Sequence, residues 1–297
     1  MNPLKSLYRT LFRAYECTDL SPWQHTPVTG QPIYGVYHIF CARGWQRLVA
    51  DQYAHLKQSG LLDATRKLFV SCIVFRDTDE QELRRIMPTD KLCIVSVQHN
   101  PKMFEYPALA QVKKICAEED CLVYYFHTKG ISFYGGESSD PHYRWFMRNV
   151  ESWRKEMEYF LMDQWQVAVN TLSDGYDMYG SYRWPPLPAK RVMYSGNFWW
   201  TKAAYVRTLA DIRPERMASD RLFAELWLYK GGGRDFSAFD TDAILYRVNI
   251  PASIYDGSHA PLLTRMQFIA AHNWSKIKKK VFRQDFGKRY NDKYQKK

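Results

Sequence analysis

Between Ile33 and Phe126 the sequence alternates strand, helix, strand, helix, strand, helix, strand. That alternation predicts an α/β fold, a mostly parallel central sheet with flanking helices. Two further observations support it. The strand candidates are continuous apolar runs, such as Lys67–Phe75 (KLFVSCIVF) and Leu122–Phe126 (LVYYF), the pattern of strands covered on both faces. Hydrophobic residues make up 46% of the chain, enough for a sizeable core and too many for wholesale disorder.

The elements follow in order. Residues 1–16 carry Leu4, Leu7, Tyr8, Leu11 and Phe12 at helical spacing with Lys5, Arg9 and Arg13 between them, a short basic amphipathic helix. Residues 17–32 are rich in proline and glycine and read as a connection. Ile33–Cys41 is the first strand, and Trp45–Ser59 a helix that Gly60 closes. Lys67–Phe75, Lys91–Val97 and Leu122–Phe126 are the next strands, separated by helices over Asp79–Ile86 and Tyr106–Glu119. After a turn at Tyr134-Gly135-Gly136, one long helix is expected over His142–Leu172, stopped by Ser173-Asp174-Gly175. Tyr176–Gly180 is a short strand, 182–190 a proline-rich loop and 192–200 strand-like. Helices are expected at Ala203–Leu209 and Asp220–Tyr229, a connection at 211–219 and a strand over 245–255. The resulting division is 1–32, 33–265 and a basic tail at 266–297. No internal repeat is visible. No glycine-rich dinucleotide or P-loop fingerprint follows any strand.

Charge is concentrated at one end. Residues 276–297 hold ten Lys/Arg against Asp285 and Asp292, which is +8 of the chain's net +11. The body is nearly balanced, which argues against a nucleic-acid binder, while the tail suits an anionic membrane surface. Phe268, Trp274, Ile277, Val281 and Phe282, interleaved with lysines, suit an interfacial helix; a disordered solubilising tail is the other reading. The six cysteines show no CxxC pair, and Cys41, Cys72, Cys93 and Cys121 read as small hydrophobes of a reducing compartment. The sequence shows no signal-peptide pattern and no apolar run of spanning length, so a cytoplasmic protein is expected.

The strand Leu122–Phe126 stops on His127-Thr128-Lys129-Gly130. Ligands of open α/β sheets bind beyond the carboxyl ends of strands, and this end offers donors and a positive charge to an anion. Gly130 is expected to let the backbone approach that ligand. A turn with Lys129 in solvent is the plain alternative. Trp and Tyr are abundant, and their flat faces suit stacking on sugars or rings.

Taken together, His127–Gly130, Asp177–Gly180 (DMYG), Ser195–Trp200 (SGNFWW) and Arg221, Glu225 and Trp227 resemble a family of bacterial and viral sugar transferases of polysaccharide and O-antigen assembly. The resemblance spans roughly residues 33–260. It implies a nucleotide-sugar transferase fold of the GT-A kind and transfer of a hexose from a nucleotide-diphosphate sugar, a UDP-sugar foremost, to a glycan or lipid-linked acceptor. Many such enzymes carry Asp-x-Asp after the fourth strand to hold Mg²⁺ or Mn²⁺. Here His127-Thr128-Lys129 stands there, so no metal is required on this reading. Asp240-Thr241-Asp242 is a cap or loop, with a metal site as the minority alternative.

Donor binding then falls to His127, Thr128, Lys129, Gly130, Arg221 and the late-loop His259. Glu225 is the first candidate for a base, a carboxylate among Phe223, Ala224, Leu226 and Trp227; an ion pair with Arg221 is the structural alternative. Asp177 is the second. Asn197, Trp199 and Trp200 would form an acceptor platform, although strand alternation sends at least one tryptophan into the core. A non-catalytic glycan-binding or scaffold protein with a transferase-like fold is the competing class, and a nucleic-acid binder acting through the tail is the third.

Overall fold

The computed structural model describes residues 14–134, 139–185, 192–214 and 220–282. The helix expected near the N-terminus, the turn at Gly135-Gly136 and the tail from residue 283 therefore fall wholly or mainly outside the described residues. Where the expected N-terminal helix would end, the chain is extended instead: β1 (Tyr15–Cys17) pairs antiparallel with a late strand.

The expected α/β order follows. β2 (Ile33–Phe40), α1 (Trp45–Gln58), α2 (Leu61–Ala64), β3 (Thr65–Ile73), α3 (Asp79–Ile86), β4 (Leu92–Gln98), α4 (Tyr106–Glu118) and β5 (Leu122–His127) alternate along the chain. α5 (Pro141–Glu158) and α6 (Trp165–Ser173) come next. Then follow β6 (Met178–Gly180), β7 (Arg183–Trp184), β8 (Met193–Tyr194), β9 (Trp199–Lys202), α7 (Ala203–Thr208), α8 (Arg221–Leu226), β10 (Asp235–Ser237), β11 (Phe239–Thr241) and α9 (Leu262–Val281).

Seven strands form one mixed sheet in the order β10-β6-β9-β5-β2-β3-β4. β9 runs antiparallel to both β5 and β6, and the other pairings are parallel. The reversal starts at a tight turn. Gly196 sits at φ +87° and Asn197 N–H donates to the Tyr194 carbonyl at 3.0 Å, the glycine position of a type II turn. Helices cover both faces, so alternate residues of β5 enter two cores: Tyr124 and Phe126 one, Val123 and Tyr125 the other.

The long helix expected over His142–Leu172 is interrupted. A π turn at Tyr159–Asp163 separates α5 from α6, and the Leu161 carbonyl accepts the Trp200 indole N–H at 3.0 Å. A wide turn leaves carbonyls free for such a partner. The strand expected over 245–255 is not formed. Leu245, Val248, Ile250 and Ile254 are buried, but the segment is irregular apart from a 3₁₀ turn at Ala252–Ile254. The sheet is completed by the short strand β10, whose polar DFS gives little strand signal.

Both described flanks pack on the same core, Ala14 at one end and Phe268 of α9 at the other. All six cysteines are free, and Cys17 is exposed. Among the described residues no helix is long and apolar enough to cross a membrane.

Candidate functional site

The chain leaves β2 towards β3 and β4 on one side and returns as β5 on the other. Such a reversal of strand order opens a crevice beyond the carboxyl ends, between β2 and β5. A cleft of about 960 Å³ lies there, at the upper end of ligand-pocket sizes. Its lining comes from the ends of β2, β3 and β5, the loop before α4, the start of α1, α8 and Tyr246.

Its floor is built by strand ends. His38 and His127 are register partners on β2 and β5. Thr128 Oγ1 accepts the Phe40 N–H at 2.9 Å and its own N–H donates to the His38 carbonyl, so Thr128 clamps the two strand ends together. Lys129 N–H folds back to the His127 carbonyl at 2.8 Å and ends the strand. Gly130 follows at φ +83°, and a Cβ there would stand 2.3 Å from Val150 of α5. Helix packing and backbone hand thus require a glycine here.

Glu105, in the loop before α4, is the hub that sequence reasoning missed. It stands at the helix N-cap but does not cap. Its carboxylate instead accepts the Tyr125 hydroxyl at 2.9 Å, His127 Nδ1 at 2.8 Å and the Asn197 amide at 2.5 Å. Burial opposes the charge on Glu105, yet His127, His38 and Tyr125 hold its pKa well below the usual carboxylate range. Burial pushes His38 down to about 4, against the pull of Glu105. His38 Nδ1, His127 Nε2 and the Trp45 indole N–H are left without a hydrogen-bond partner at the cleft floor.

Lys129 is the fixed cation. Its ammonium lies 4.4 Å from the Trp153 ring centre and 5.6 Å from that of Tyr246. Burial works against the charge, but Tyr246, Glu225 and Glu105 hold its pKa above the ordinary lysine value. Glu225 lines the same cleft. α8 is fixed by Ala224, Leu226 and Trp227 in the core, and by the Trp227 indole bond to the Ala210 carbonyl at 3.0 Å. That packing turns the half-buried Glu225 towards the cleft, with no hydrogen bond or ion pair to a described side chain. At the other end Phe75, 53% exposed, meets Phe40 edge-on at 5.3 Å, beside the exposed Arg43 and the N-terminus of α1, which no side chain caps.

Of the candidates, the structure gathers His127, Thr128, Lys129, Gly130 and Glu225 in this cleft. The Arg221 side chain lies outside the described ones. Asp177 is at the amino end of β6, the far edge of the sheet, where Lys202 Nζ pairs with it at 3.1 Å and the Arg234 N–H at 2.8 Å. His259 is exposed, at φ +54°, and does not line the cleft.

The expected acceptor platform is corrected. Trp199 and Trp200 are both fully buried, one on each face, because helices cover the sheet on both sides. Trp199 stacks on Tyr125 at 4.9 Å and donates its indole N–H to Asn197 Oδ1 at 2.9 Å. Asn197, buried as well, supports Glu105 from behind. Of the alternative metal pair, Asp240 lies in the β1–β11 pairing, and Asp242 is held by His272 at 2.8 Å and Lys276 at 2.5 Å. Among the described residues no three His, Cys, Asp or Glu gather to hold a metal.

Fold and cleft define an α/β protein with a ligand crevice at the carboxyl edge of a mixed sheet. Residues 37–228 match the model of a family described as a domain of unknown function, DUF8361. The match covers more than half of the chain, and the chain belongs to that family. It runs from within β2 to just past α8 and so includes the cleft lining apart from Tyr246. No curated protein matches the chain.

Proposed function

We propose that the chain is a nucleotide-sugar-dependent glycosyltransferase of the GT-A kind. It moves a hexose from a nucleotide-diphosphate sugar, a UDP-sugar foremost, to a growing surface polysaccharide or lipid-linked glycan. One observation carries the reading: the cleft at the switch point holds both a fixed cation, Lys129, and a carboxylate, Glu225, that has no hydrogen bond or ion pair to a described side chain. The parallel strands β2 to β5 form the nucleotide half, with the base against Phe75 and the diphosphate over the start of α1 and Lys129.

Transfer breaks the bond between the anomeric carbon and the diphosphate oxygen. The bond's electron pair goes to that oxygen, and Lys129 stabilises the growing charge in a partly dry site, the work a divalent cation would otherwise do. The acceptor hydroxyl forms the new bond, and Glu225 takes its proton. The expected place of work is the cytoplasm.

A thermal-shift panel of UDP, GDP, CMP and their sugar conjugates, in EDTA and separately in Mn²⁺, tests this. A ligand bound only by the folded state raises its melting temperature. One nucleotide stabilising the protein in EDTA supports the reading and names the donor. No shift with any of them in either condition, for protein shown to be folded, would count against the transferase and favour a non-catalytic glycan-binding or scaffold protein.

A further inference from the structure

The last described helix leaves a face uncovered. Leu262, Leu263, Met266, Trp274, Ile277 and Val281 of α9 are all exposed, the two leucines by 70% and 66%. At 3.6 residues per turn these positions stack into one stripe along the helix. The opposite face is anchored: Phe268 and His272 are buried, and His272 and Lys276 hold Asp242. The helix is therefore fixed to the domain with an apolar stripe turned outward.

Charge decides what covers it. From Leu262 to Val281 there is no Asp or Glu, while Arg265, Lys276, Lys278, Lys279 and Lys280 are basic. The sequence after it, 283–297, adds six Lys/Arg against two Asp. A second copy of the chain would bring another α9 with no acidic residue to offset these charges. A nucleic acid would leave the apolar stripe in water. An anionic bilayer meets both demands, since apolar side chains enter the headgroup boundary and lysines reach the lipid phosphates.

We propose that α9 is an interfacial helix that lies in the surface of an anionic bilayer and docks the domain there. Its neighbourhood links it to the cleft. Arg247, Val248 and Asn249 line a groove along α9, and the preceding Tyr246 forms the cleft wall beside Lys129. Docking thus sets one rim of the cleft next to the lipid surface, whatever ligand the cleft takes, and the inference does not depend on the transferase reading.

The test is flotation of the full chain with phosphatidylcholine vesicles, with and without phosphatidylglycerol. The wild type is expected to float with the anionic vesicles, less so at high salt. The double variant Leu263→Glu/Ile277→Glu is expected to bind at least tenfold more weakly while keeping its circular dichroism and melting temperature, because both positions are exposed. No flotation of the wild type overturns the proposal. So does undiminished flotation of the folded double variant, which would assign binding to residues 283–297 alone. A dimer that the double variant dissolves, in a protein that ignores vesicles, overturns it as well.

Discussion

Replacing Glu105 by Gln keeps the shape of the hub and changes only its charge and its donors. In the native protein Oε2 accepts from Tyr125 and Asn197, and Oε1 accepts from His127 Nδ1. A glutamine that keeps two acceptor bonds on its oxygen turns an amide N–H₂ towards His127. The imidazole must then accept at Nδ1 and carry its proton on Nε2, the nitrogen without a partner at the cleft floor. Charge-assisted bonds contribute about 1.5–3 kcal/mol and neutral ones about 1, so three weakened bonds cost roughly 3 kcal/mol. Relief from burying a charge offsets part of that, leaving a net loss of about 2 kcal/mol. Glu105→Ala, which strands three buried donors, is expected to cost about 5 kcal/mol. Urea denaturation at neutral pH reads the stability, and nitrogen-15 chemical shifts of His127 read the tautomer. A Gln variant within about 0.5 kcal/mol of wild type, with the His127 tautomer unchanged, would refute the claim that this carboxylate sets the imidazole.

Other outcomes are expected. Lys129→Met should weaken nucleotide binding in calorimetry at least tenfold, roughly one lost charge contact, whereas Glu225→Gln should leave binding within about threefold and remove turnover. Gly130→Ala should cost about 2–4 kcal/mol, combining a left-handed backbone with the Val150 contact; adding Val150→Ala should restore the packing part only, as urea titrations of both variants would show. His38 is held at about 4 against an ordinary 6.5, so the unfolded chain takes up its proton first as pH falls. Its contribution of about 3 kcal/mol is complete above 6.5 and lost towards 4, and His38→Gln should flatten that acid slope. His55 works in the other direction: bonds to Asp163 and Glu158 raise it to about 9, so its stabilisation is present below 6.5 and fades as pH rises through 9. Stability curves of His55→Asn between neutral and alkaline pH check this.

The βα order from Ile33 to Phe126 was legible because each strand there is a nearly unbroken apolar run between helical patterns. The cleft-forming end of β5 was legible for a related reason: polar residues follow such a run abruptly. The later half was harder to read. Trp199 and Trp200 resemble a sugar platform in sequence, and only the sheet order puts a helix layer over each face. Leu245–Ile254 has strand composition but joins no sheet, whereas the polar β10 pairs with β6. Glu105 left a weaker trace, a carboxylate in a loop at the carboxyl end of β4, and His38 a clearer one, an imidazole inside the buried run Tyr37-His38-Ile39.

These misreadings meet at one point. A line of hydrogen bonds runs from the Trp199 indole through the Asn197 amide and the Glu105 carboxylate to the His127 ring. It joins the turn before β9, the loop before α4 and the end of β5, three segments far apart in sequence. Asn197 takes a left-handed backbone, φ +60°, which asparagine tolerates better than most residues, and its side chain is oriented at both ends. The tryptophan therefore acts on the cleft without facing it, by fixing the turn that presents Asn197. Loop-borne groups are mobile unless a buried network holds them, and a cleft that places a diphosphate, as proposed, needs such a hold. The aromatic GNFWW segment and the HTKG strand end are thus two ends of one support, and the proposed chemistry falls to residues that line the cleft beside it, Lys129 and Glu225.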